Sequence, residues 1–270
     1  MIRPSATRPQ RPRLTIASLV VIMASSACAG STVGQKPPVE QRTAAPTPRD
    51  AAHPCEQAPN NETLATPEAA VRLYIESIAA NNFARAMRAF AAEERAARFN
   101  FTALVSWVHV FSAGAQEAPA EYPMFVEINE LRAKAQMAQA TKIFIYGLLT
   151  DRDPSGSQTV ESDAEIQAFV QAVDPARLAT LRVVSIDQPR SLLGPEAQAL
   201  FKQRATRHGA DEMTERIALC DFSGQFFGAG FSLARYDKTW KIFEPGAPFS
   251  GLLDGAAEKT TAAEYEARLQ

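Results

Sequence analysis

The hydrophobic positions of this chain follow two periods, one after the other. Between residues 66 and 112 they recur at helical spacing. Val71, Tyr74, Ile75 and Ile78 stand at i, i+3, i+4 and i+7, with Arg72 and Glu76 off the stripe. Thr66 can cap this helix, Pro67 suits its first position, and Glu68 favours the positive end of its dipole. Asn81-Asn82 ends it, and Phe83, Met87 and Phe90 mark a second helix running from Asn82 to Phe90. Phe101, Leu104, Val105, Val108 and Ser112 set out a third, with Trp107 and Phe111 at its edge.

Tyr122 to Gln139 is rich in helix formers and has no breaker after Pro123. Ile143 to Leu149 either continues that helix or forms a buried strand. Its β-branched and aromatic content, just ahead of the turn residues Asp151 to Gly156, favours the strand. Glu161 to Val173 reads as a helix closed by Asp174-Pro175, Leu181 to Ile186 as a strand, and Pro195 to His208 as a helix with Gly209 beyond its end.

From Met213 the period falls to two. Met213 to Cys220, Gln225 to Arg235 and Thr239 to Phe243 are three strands joined by turns at Asp221 to Gly224 and Tyr236 to Lys238, an antiparallel meander. Ala229, Phe231 and Leu233 alternate with Gly230, Ser232 and Ala234, which puts the bulky side chains on one face. Helices first and a twisted meander last define an α+β domain. Its core is expected to bring Val71, Tyr74, Ile75, Ile78, Phe83 and Met87 against Phe231, Leu233, Trp240 and Ile242.

The front of the chain is of another kind. Arg3, Arg8, Arg11 and Arg13, with no acid among them, precede Leu14 to Ala24, which is apolar apart from Thr15 and Ser18; Ser25 to Gly30 follow. That order is a bacterial export signal, and its apolar part is shorter than the ~20 residues of a spanning helix. Ala27-Cys28-Ala29 allows cleavage after Ala29, giving a secreted soluble chain. Ser26-Ala27-Cys28 resembles the end of a lipobox, which makes Cys28 the acylated first residue of a lipoprotein, although Ser25 stands where such sites usually carry Leu. Residues 28–62 contain Pro37, Pro38, Pro46, Pro48, Pro54 and Pro59 and almost no large apolar side chain, the composition of a spacer. A spacer suits a lipid-anchored envelope protein, on the periplasmic side of an outer membrane if the host has one. The expected organisation is a signal over 1–27, a spacer over 28–62, one domain over 63–250 and a polar tail over 251–270.

The chain has 3 cysteines. Once the signal or the lipid accounts for Cys28, Cys55 and Cys220 remain, and in an oxidising compartment they are expected to form a disulfide; the alternative is two free thiols. Hydrophobic residues at 46% and charged ones at 21% are ordinary for a globular domain. A net charge of −2 argues against a nucleic-acid partner, which demands a basic face.

Thr66 to Val71, the short helix over Asn82 to Phe90, and Tyr236-Asp237-Lys238-Thr239-Trp240-Lys241-Ile242 resemble the nuclear transport factor 2-like, cystatin-like cone superfamily. The resemblance implies N-terminal helices packed into the concave face of a curved antiparallel sheet, here with a helical insertion over about 119–209. Many members are bacterial lipoproteins of unknown role. Others are isomerases and dehydratases that move a proton with an Asp, Tyr or His at the floor of the cone.

Tyr74 on the first helix, Trp107 and His109 near the third, and Phe231 on the meander are the candidate pocket residues. A lone Tyr or His on such a face is more often a satisfied core group, and no Asp-His pair stands at recognisable spacing, so no catalytic residue is assigned. Gly224, Gly228 and Gly230 lack the Gly-Lys-Ser/Thr of a phosphate loop and read as glycines easing a bent strand. His208, Asp211 and Glu212 are too sparse for a metal site, and no cofactor is indicated. Arg204 to His208 form a small basic patch at a helix end. Two functions stay open: an anchored module that binds a small apolar ligand or an envelope protein, and an isomerase or dehydratase with a proton-transfer residue in the cone.

Overall fold

In the computed structural model the described residues are 64–270 apart from 115, 151–155, 158 and 253–254. The signal, the spacer, Cys28 and Cys55 therefore lie outside the described residues.

Thr66 accepts a hydrogen bond from the Ala69 N–H at 3.2 Å and opens α1, Pro67–Ala79. Asn81 then takes a left-handed φ of 51°, which Asn tolerates better than most residues, and the Asn82 side chain caps α2, Phe83–Met87. α2 stops short of Phe90 because the backbone is wanted elsewhere: Ala89 C=O accepts from Ile242 N–H and Ala91 N–H donates to Ile242 C=O. The chain next forms α3, Ala92–Arg98, which the periodicity did not mark, and α4, Phe101–Val108. α4 ends where His109 turns left-handed at φ 53°, four residues before the expected end.

The largest departure is α5, Pro123–Leu149, one helix of 27 residues. The expected strand over Ile143 to Leu149 is its last two turns. Ala133, Met137, Thr141, Phe144 and Leu148 are all buried at spacings of four and three, so the helical stripe runs unbroken through the β-branched stretch. α6, Asp163–Ala172, and α7, Pro195–His208, fall where the sequence placed them.

β1, Arg182–Asp187, pairs with β2, Glu212–Phe222; β2 pairs with β3, Gln225–Tyr236; and β3 pairs with β4, Thr239–Pro245, all antiparallel. Residues 251–270, read from the sequence as a polar tail, instead add β5, Glu258–Lys259, to the first half of β3, and then α8, Ala262–Leu269. A capping box between Thr261 and Glu264 starts α8.

The inner face of the curved sheet carries Ala218, Cys220, Ala229, Phe231, Leu233, Trp240 and Ile242 against α1 and α5. This is an α+β arrangement, with helices packed on one face of a curved antiparallel sheet. The residues expected to meet there are buried, except that Met87 is only partly covered and Phe83 is half-exposed. The outer face carries Met213, Ala234, Tyr236 and Phe243 under α7, and Ile217 and Leu219 under Leu252 and Tyr265 of α8.

Gly230 owes its place to close approach more than to strand bending. A Cβ there would lie 2.7 Å from the Ala247 Cβ and 2.8 Å from the Leu252 Cβ, on the segment crossing the outer face. Gly230→Ala is expected to destabilise the fold by roughly 1 to 3 kcal/mol through overpacking, measured by urea unfolding against Gly228→Ala, whose added Cβ would meet only Thr260 Cγ2 at an ordinary 3.8 Å.

Candidate functional site

A cleft of about 670 Å³ opens between α1, α2, α3, α5 and the edge of β4. It exists because α2 is short: the chain turns back at Arg88 so that Ala89 to Ala91 can bond β4, and the bend leaves a gap under α5. Leu73, Met87, Phe90 and Ala138 make the apolar wall, with Phe83 at the lip. Arg88, Lys134 and Lys241 bring three cations to the cleft and Glu93 one anion. Lys134 bonds Glu130 at 2.5 Å and Glu93 at 3.4 Å, and the Glu130 carboxylate holds its ammonium above the usual lysine range. Lys241 bonds Glu94 at 2.5 Å. The Arg88 guanidinium has no ion-pair partner among the described residues.

The candidate pocket residues named from the sequence do not gather around this cleft. Tyr74 and Phe231 meet in the core with ring centroids 5.7 Å apart, and Phe90 and Phe144 close in on Tyr74 at 5.2 and 5.6 Å. Burial pushes the Tyr74 phenol well above its ordinary range, and its hydroxyl reaches Thr141 Oγ1 at 3.4 Å. Phe90 is shared by core and cleft, so Tyr74 sits one ring beneath the cleft floor. Trp107 and His109 are instead exposed at the end of α4, which buries none of its residues. Tyr74 and Phe231 thus lie together in the core, while Trp107 and His109 lie apart from them at the surface.

Cys220 is a free thiol buried in the core among the described residues; Cys55, its expected partner, lies outside them. Burial pushes it up to about 12, so it is held as the neutral thiol. His208 lies against Phe243, centroids 4.4 Å apart, rather than with Asp211 and Glu212. Burial and then the charges of Arg95, Arg204 and Arg207 depress its pKa to about 3. No group of three or more metal-ligating side chains stands among the described residues. Of the basic patch, Arg204 bonds Glu244 at 2.5 Å, and Arg207 stacks over Trp107.

One buried group escaped the sequence reading. Glu215 is fully buried on the outer face, accepting from Phe249 N–H at 3.3 Å and Ser250 O–H at 2.9 Å, with Arg204 at 4.0 Å. Burial pushes its carboxyl above the usual range. Glu215 shares the alternation of Met213, Ile217 and Leu219, which places it on the covered outer face of β2.

Fold and cleft together define a helix-on-curved-sheet domain with a lateral, apolar-walled cleft. No protein-family model matches this chain. No curated protein matches it either. Among solved structures it is similar to a cystatin-like protein from Ruminococcus gnavus ATCC 29149, with 18% identity and a TM-score of 0.48. The match covers 72% of this chain and 44% of that one, so the chain spans less than half of that protein's length.

Proposed function

We propose that this protein is a lipid-anchored cell-envelope protein that holds a small amphipathic ligand, an apolar body with an anionic head, in the lateral cleft without transforming it. The observation that carries the reading is the pairing of an apolar wall with the unpartnered Arg88 at one cleft. An apolar body would cover Leu73, Met87 and Phe90, and an acidic head would meet the free guanidinium. A proton-transfer enzyme would need a group of strongly shifted acidity beside open volume. Tyr74, His208 and Glu215, the groups of that kind considered above, do not line the cleft. Export and acylation at Cys28 supply the setting, with the proline-rich stretch as tether; release after Ala29 is the competing outcome.

Titration with cis-parinaric acid, a fluorescent fatty acid, is expected to give saturable binding. Arg88→Ala should weaken it roughly tenfold, as loss of one charged hydrogen bond does, and leave a fatty alcohol's binding unchanged. Ala138→Trp should block both by filling the cleft. Binding that survives Ala138→Trp would refute the site. Mass spectrometry of the exported chain tests the anchor: an acylated Cys28 supports it, an unmodified Gly30 at the N-terminus rejects it.

A further inference from the structure

Between Phe101 and Gly114 the chain has no Lys, Arg, Asp or Glu. α4, within this stretch, consists of apolar residues apart from Thr102 and Ser106, yet buries none of them. At its end Trp107 is 49% exposed and Val110 and Phe111 each 63%. Water is a poor solvent for such a surface, and a helix this apolar is ordinarily covered.

The tip is held in place. Gln116 donates to Val110 C=O at 2.8 Å and accepts from Ser112 N–H at 3.1 Å. Gln116 C=O in turn accepts from Arg132 of α5 at 2.9 Å. Phe111 packs edge-on against Phe101, centroids 5.9 Å apart. At the base, the Arg207 guanidinium carbon lies 4.0 Å over the Trp107 ring. Arg207 has a buried Nε without a hydrogen-bond partner and no ion-pair partner among the described residues.

We infer that the end of α4, with Trp107, Val110 and Phe111 as its tip and Arg207 at its base, is a surface that docks on the interface of an anionic lipid bilayer. The order of chemistry matches that of a membrane surface. Apolar side chains without charge enter the acyl boundary, an indole lies at headgroup depth, and a free guanidinium stands where lipid phosphates are. The fourteen-residue stretch carries no carboxylate that would oppose lipid phosphates. Among the described residues no helix is long and apolar enough to cross a membrane, so the contact is interfacial. The inference goes beyond the cleft reading and does not depend on it. If Cys28 is acylated, the tether raises the local lipid concentration and a weak contact suffices.

The test uses the full chain with Cys28→Ser, so that no acyl anchor contributes. Trp107 and Trp240 are its two tryptophans, and Trp240 is buried. Vesicles of phosphatidylcholine and phosphatidylglycerol should shift Trp107 emission to the blue, and brominated acyl chains should quench it. In Trp107→Phe both changes should vanish. Val110→Asp with Phe111→Asp should reduce partitioning at least tenfold, and because both residues are exposed the fold should survive, as circular dichroism would verify. Arg207→Glu should weaken binding to anionic vesicles roughly tenfold and to neutral ones little. Trp107 emission unmoved by vesicles overturns the inference. So does sedimentation showing that a second copy of the chain covers α4, with the Asp pair abolishing that dimer.

Discussion

Phe231→Ala is expected to destabilise the domain by roughly 3 to 5 kcal/mol, the range for deleting a buried aromatic ring from a core that cannot close over the space. Phe231 is 1% exposed at the centre of the inner face, edge-on to Tyr74, and Tyr74 in turn contacts Phe90 and Phe144. Removing the ring leaves a hole bounded by α1, β3 and α5, whose helices cannot approach each other without breaking the sheet register. Urea denaturation at neutral pH measures it. Tyr74→Phe is the control: it keeps the rings and gives up only the 3.4 Å contact with Thr141, for roughly 1 kcal/mol or less. Equal losses from the two variants would contradict a packed, ring-dominated interior.

The second large effect is acid sensitivity through His208. Its folded pKa, about 3, lies below the ordinary histidine value of 6.5, first because it is buried and then because the charges of Arg95, Arg204 and Arg207 add to the effect. Between those values the unfolded chain binds a proton that the folded one refuses. Its contribution is therefore complete above about pH 6.5 and is lost as the pH falls toward 3, a loss of up to roughly 4 kcal/mol. His208→Phe keeps a ring against Phe243 and removes the titration, and its unpartnered Nδ1 takes no hydrogen bond away with it. Stability measured from pH 7 to pH 3 should fall less steeply in that variant. Glu215 works in the opposite sense: its raised pKa means stability is lost as the pH rises above the ordinary carboxylate range through the folded value. Glu215→Gln should flatten that limb and leave the acid one alone. An identical acid limb with and without His208 would show that other groups govern it.

What local chemistry alone decides was open to reading in the sequence. The Thr66 cap with Pro67, the Asn81-Asn82 break, the helix from Pro195 to Gly209 and the three alternating strands each rest on interactions within a few residues, and each stands where its pattern put it. The capping box at Thr261 and the place of Glu215 in the apolar alternation of β2 are equally local. Tertiary structure decided the rest. Ile143 to Leu149 has strand-like composition, but its apolar stripe continues α5 and meets the same core, and packing outweighs a propensity worth less than about 1 kcal/mol. The periodicity of α4 records an apolar face without recording what that face meets, and in the fold none of its residues is buried. The cleft could not be read at all, since it joins Leu64, α1, α2, α3, α5 and β4, segments as far apart as Leu64 and Lys241. It depends on Ala89 and Ala91 bonding Ile242 in place of another turn of helix, and nothing local to α2 foretells that exchange. A cleft is the space left when distant elements have each found their partners, so its shape belongs to the assembled fold.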